Sequence, residues 1–253
     1  MTKSMMFGLG TMLLTSVVLY GCGGGGDSPS PTPASQAPID PNLTVPVQTA
    51  LANVVNKGFN QAFTISGSVD NSTFNNPMPP TPITGSGHFT LGAGAPATSC
   101  GFPVLAATEV LTGTAIANGI STPFAGTGTV FYRSDNTTVA RDSDGKLFLF
   151  TPVSFPQTVR AGDAGPNGDG TQISQNCTSI AFADTIARAY SVASDSATSL
   201  LVTFVEDQKS FGGSKTQTST VYRIDTSGNI RLVSITAVQS FLGSVFKSLI
   251  FTF

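Results

Sequence analysis

The chain of 253 residues is poor in charge, with 12 Lys and Arg against 14 Asp and Glu and a formal net charge of -2. Nucleic-acid binding needs a dense basic footprint that displaces counterions, and no stretch supplies one, so no nucleic-acid partner is expected. His88 is the single histidine, which leaves imidazole catalysis resting on one side chain. A serine inside G-x-S-x-G and an H-E-x-x-H helix are both missing, and the 3 cysteines cannot build a tetrahedral zinc site. S-x-x-K occurs at Ser143–Lys146 and Ser244–Lys247, without the S-D-N and K-T-G companions that would give it meaning. Glutamate occurs only as Glu109 and Glu206, and most aspartates stand in turns, where carboxylates cap backbone amides. Asp163, Asn167 and Asp169 could gather oxygens around Ca²⁺, but they lack the spacing of a calcium loop and its distal Glu; turn chemistry is the expectation, with no metal and no cofactor.

What the chain does have begins at its N-terminus. Lys3 supplies a positive start and Met5 to Leu19 run apolar for about 15 positions, the length of an export signal rather than of a membrane span. The run ends in Leu19-Tyr20-Gly21-Cys22, which resembles the lipobox of bacterial lipoprotein precursors, with Tyr20 bulkier than the usual residue at its place. The resemblance implies cleavage before Cys22 and acylation of its thiol and of the new amino terminus, palmitate being the typical chain. Several acyl chains anchor stably where one would be marginal. Gly23 follows Cys22 where Asp would retain an enteric lipoprotein at the inner membrane, so the resemblance favours the outer membrane.

Gly23 to Pro41 is rich in Gly, Pro and Ser and has no apolar periodicity, so it cannot bury a face. Fully extended, it reaches roughly 60 Å. The expected organisation is a signal peptide at 1–21, a lipidated cysteine and linker at 22–43, and one β-rich domain at 44–253. With Cys22 lipidated and an oxidising compartment, a Cys100–Cys177 disulfide is expected, two unpaired thiols being the alternative.

Within the domain, Val47, Leu51, Val54 and Val55 recur at helical spacing between Pro46 and Gly58, which predicts a short helix from Pro46 to Lys57. The period then changes to two, with Phe63, Ile65 and Val69 alternating with Thr64, Ser66 and Ser68. Further strands are expected at Ile83–Leu91, Val104–Ala117, Gly126–Arg133, Thr137–Arg141, Lys146–Thr151, Thr185–Ala193, Ser199–Glu206, Thr216–Ile224 and Asn229–Val238. A loop is expected from Pro152 to Asn176, and turns at Asp142–Gly145 and Asp225–Asn229. Thr127 to Asp135 is echoed by Thr218 to Asp225 with a one-residue gap, as two similar hairpins would be. At the C-terminus Leu249, Phe251 and Phe253 alternate like the closing strand of an outer-membrane barrel. Val238, Phe241, Leu242, Val245, Phe246, Leu249, Ile250 and Phe253 nevertheless match helical spacing better, and a terminal amphipathic helix is predicted there.

The fold expectation is therefore a mainly β, α+β domain: an antiparallel meander or half-barrel with an N-terminal and a C-terminal helix packed on it. In function, a lipid-anchored envelope protein is expected, a non-enzymatic module for structural, assembly or interaction work with other envelope proteins. The alternative is a periplasmic carrier or acceptor of lipids or other hydrophobic ligands, for which the 18 Phe residues would line a pocket.

Overall fold

A computed structural model describes residues 40–70, 78–241 and 244–253. The expected signal peptide, Cys22 and most of the expected linker lie outside the described residues. The elements are β1 (Thr44–Val45), α1 (Val47–Lys57), β2 (Phe59–Val69), β3 (Thr81–Leu91), β4 (Ala95–Ser99), β5 (Phe102–Ala117), β6 (Ile120–Tyr132), β7 (Thr138–Ser143), β8 (Lys146–Phe150), β9 (Val159–Arg160), β10 (Ala164–Pro166), β11 (Gly170–Ile173), β12 (Thr185–Ser194), β13 (Ser199–Lys209), β14 (Ser214–Asp225), β15 (Ile230–Phe241) and β16 (Ser244–Thr252). Twelve of the strands form a closed antiparallel barrel. Around the ring the order is β2, β3, β5, β6, β7, β8, β11, β12, β13, β14, β15, β16, and β16 returns to β2.

Two expectations are corrected. The sheet is not a half-barrel, because both seams that would leave edges are paired: β16 on β2 from Lys247↔Val69 to Thr252↔Thr64, and β12 on β13 along Thr185–Ser194. The C-terminal segment is not a helix but the closing strand. Leu249 and Phe251 point inward and are buried, while Ser248 and Thr252 face out, the period of two that a paired strand requires. Outward-facing Ile250 and Phe246 gave the segment apolar residues on both faces, which let it match a helical template as well. The expected Pro152–Asn176 loop is also corrected: it contains β9, β10 and β11, and in β11 Gly170 and Thr171 pair with both β8 and β12.

The expected N-terminal helix forms over Val47–Lys57 and lies across one mouth of the barrel. Its first half packs Val47 and Ala50 with Val192, Leu200, Val202 and Ile224, and its second half packs Val54 and Val55 with Leu91, Ala107 and Val130. The plug is also hydrogen-bonded to the rim: Gln48 Nε2 donates to the Phe155 carbonyl at 2.6 Å and Asn53 Nδ2 to that of Gly228 at 3.1 Å. Below the helix, Phe63, Ile65, Phe89, Ile235, Leu249 and Phe251 fill the lumen between β2, β3, β15 and β16.

At the opposite end of the barrel sit the hairpin tips. Asn118-Gly119 and Asp144-Gly145 are two-residue turns with positive φ at both positions, the geometry whose twist suits adjoining strands. Cys100-Gly101 makes the same kind of turn between β4 and β5, but at the end of β5 that packs on α1, and Cys100 is bonded to Cys177 in the β11–β12 loop, Cα to Cα 5.4 Å. The expected disulfide is present.

Candidate functional site: the barrel interior

Alternation along β2 puts Asn60, Ala62, Thr64, Ser66 and Ser68 outward, and along β3 Thr84, Ser86 and His88. His88 is exposed on the outer wall, where its ladder neighbours are Ala62 and Thr112. The Asp163, Asn167, Asp169 trio is spent locally. Asp163 Oδ2 accepts the Arg160 amide at 2.9 Å, Asp169 Oδ1 accepts the Arg188 amide at 3.2 Å, and the Asn167 amide donates to the Arg188 carbonyl. Among the described residues no three His, Cys, Asp or Glu side chains gather as a metal site.

The chemistry gathers instead inside the barrel. Both glutamates of the chain point inward, Glu109 from β5 and Glu206 from β13, and they meet Arg141 from β7 and Arg188 from β12. Arg141 Nη2 donates to Glu109 Oε2 at 2.8 Å and its Nη1 to Glu206 Oε2 at 3.4 Å. Because β7 and β13 are separated by three strands in the ring, this pair of bonds ties two walls across the lumen. Arg188 lies beside its cross-strand neighbour Glu206, with Nε 3.1 Å from Oε1, and its guanidinium stacks 4.1 Å above the Phe150 ring centroid. Burial works against the charge on Arg141, but the carboxylates of Glu109 and Glu206 outweigh it and hold its pKa above the ordinary value. At Arg188 burial wins: together with repulsion from Arg141 it lowers the pKa, and Glu206 only partly offsets this.

Tyr132 and Tyr222 face the same space, and burial, followed by the negative charge of Glu109, raises both phenol pKa values far out of the physiological range. These tyrosines are matching positions of the sequence echo. Beside each, the partner strand carries one extra residue: Val139 where Phe131↔Ala140 is followed by Tyr132↔Thr138, and Val233 where Val221↔Ser234 is followed by Tyr222↔Leu232. Such β-bulges re-aim neighbouring side chains. The echo therefore marks two bulged hairpins that each deliver a tyrosine to the interior.

Between the charged cluster and α1 lies a cavity of about 130 Å³. Leu51 and Val54 of the helix, Phe59, Phe89, Phe155 and Phe204 are among its apolar walls, and Tyr132, Tyr222 and the four charged residues line it as well. Ligand sites for drug-sized molecules span roughly 300–1,000 Å³, so this space is far too small for an acyl chain while the helix is in place. Two guanidinium groups are incompletely bonded: Arg141 Nε, Arg188 Nε and Arg188 Nη1 are buried and have no hydrogen-bond partner.

The hairpin end carries a different feature. Phe182 and Phe211 are 71% and 65% exposed with ring centroids 4.3 Å apart, and Met78, Ile116, Ile120 and Phe246 are exposed on or beside neighbouring hairpin tips. Phe182 is held at φ 62°, a conformation that costs an aromatic residue energy. Its partner is braced by Asp184, whose Oδ1 accepts the Phe211 amide at 3.0 Å and whose Oδ2 takes the Lys146 ammonium at 2.7 Å.

Comparison with family models, curated proteins and solved structures finds no match to this chain.

Proposed function

We propose that the protein is a lipid-anchored envelope protein whose barrel serves as an interaction module rather than as an enzyme. The observation that carries this reading is the polarity of the barrel. The described chain enters at the helix-plugged end through β1, and at the other end the exposed rings of Phe182 and Phe211 stack on each other, with Ile116 and Ile120 exposed on the β5–β6 tip across the ring. A lipobox-like start and a linker rich in Gly, Pro and Ser would hold the plugged end toward the membrane and leave the apolar tips facing outward. An exposed aromatic pair of this kind is a usual mark of an interaction site.

The outward rows of β2 and β3, rich in Ser and Thr, favour a wall bathed in water. A lipid-embedded barrel has the reverse arrangement, an apolar outer band around a polar lumen. The size of the interior cavity weighs against the lipid-carrier alternative. Radiolabelled palmitate should enter the wild-type protein in cells and should not enter Cys22→Ala, which should shift from the membrane pellet to the soluble fraction. A photo-crosslinking residue at Phe182 should give adducts with envelope proteins, and one at Thr64 on the wall should not. Equal labelling of the Cys22 variant, or equal silence from both crosslinking positions, would refute the corresponding half of the proposal.

A further inference from the structure

The interior cluster contains two arginines and two glutamates, so its charges already cancel. Its hydrogen bonds do not. Glu206 is shared between both guanidinium groups, and the Arg188 side chain, only 7% exposed, keeps Nη1 without a partner at the wall of the cavity. A buried donor left unpaired costs free energy, so the site favours an occupant that offers an acceptor. A fully charged anion would bring an uncompensated negative charge beside Glu206 in a low-dielectric interior, which disfavours a carboxylate. The opposite walls are aromatic and aliphatic, which suits a flat apolar body. The volume, about 130 Å³, sets the size, because an apolar cavity of roughly 150 Å³ accommodates benzene.

We propose that the cavity beneath α1 is a binding site for a small uncharged ring compound bearing one oxygen, of the size of phenol or cyclohexanone. The ring lies against Val54, Phe89 and Phe204. The oxygen accepts from Arg188 Nη1, and a phenolic hydroxyl could in turn donate to a glutamate carboxylate. Asn136, Thr137 and Asn167, which belong to loops at the plugged end, also line the space and mark the way in from solvent. The competing occupant is water, of which the cavity would hold about four molecules at roughly 30 Å³ each.

Isothermal titration of the folded domain with phenol as the probe decides between them. Phenol should bind saturably at one site, with benzene and benzoate each at least tenfold weaker, the first for want of an acceptor and the second for its charge. Val54→Phe fills the cavity from the helix without touching the charged cluster and should abolish binding in protein whose circular dichroism is unchanged. Arg188→Met should weaken phenol at least tenfold while leaving benzene unaffected. Absence of saturable phenol binding to the wild-type protein would mean that the cavity holds water only and would overturn the proposal. Equal affinity for phenol and benzene would remove the role of Arg188, and undiminished binding by folded Val54→Phe would place the ligand elsewhere. The wild-type ligand series stands even if either variant fails to fold.

Discussion

Single residues decide whether the barrel can close on a filled interior. Phe63, Gly87, Gly113 and Phe124 form one continuous row across β2, β3, β5 and β6. A Cβ at Gly87 would strike the Thr112 carbonyl and the Phe63 ring, and one at Gly113 would strike the Phe124 ring at 2.6 Å. The two rings lie over the two glycines, filling the space that side chains on both middle strands would have crowded. Arg141 plays the corresponding part for charge. Replacing it with Met leaves Glu109 and Glu206 buried without their shared donor, and breaking a buried ion pair from one side costs about 3–5 kcal/mol. Urea unfolding followed by circular dichroism, which suits a chain with no Trp, should show the midpoint of Arg141→Met falling accordingly. An unchanged midpoint would mean that the network contributes nothing to stability. Both glutamates could have been singled out in the sequence: Glu109 interrupts an apolar stretch of β5, and Glu206 continues the inward row of Leu200, Val202 and Phe204 in β13. Their convergence could not, because β5 and β13 lie far apart in the chain.

At the scale of elements, the instructive case is β16. Helical spacing and strand alternation both fit its residues, and only the partner decides between them. Pairing with β15 and β2 satisfies the backbone on both sides and puts Leu249 and Phe251 into the lumen. A terminal helix would leave β2 and β15 as open edges. The two readings separate experimentally. In the strand, Phe251→Asp places a carboxylate among Phe63, Ile65 and Phe89 and should prevent folding, whereas Ile250→Asp faces outward and should cost no more than about 1 kcal/mol. On the expected helix Ile250 belongs to the apolar face and Phe251 does not, so the order of severity would be reversed. Circular dichroism and thermal unfolding of the two variants provide the check. The helix α1 was legible because its apolar residues occupy one face only and Gly58, at φ 62°, stops it.

For the whole molecule, closure joins the first barrel strand to the last, so the chain must bring its most distant segments together before the ring is complete. The disulfide acts at the same scale, tying the β4–β5 turn to the β11–β12 loop across 77 residues. By limiting the unfolded chain it should stabilise the fold by about 4–5 kcal/mol. Denaturant titration of oxidised protein against the Cys100→Ala, Cys177→Ala double variant should show a difference of that order. A difference below about 1 kcal/mol would mean that native strain or residual structure in the unfolded chain offsets the constraint.

The sequence by itself determined the local grammar: one short helix, strands with Phe and Ile alternating against Ser and Thr, and Gly-containing turns between them. These follow from period and backbone preference, which neighbouring residues settle among themselves. The tertiary structure decided that the sheet closes, that the last segment is a strand, that β11 completes the ring, and that two glutamates, two arginines and two tyrosines share one cavity. Each of these depends on which strands pair and in what register. Register accumulates around the whole ring, so no window of sequence contains it.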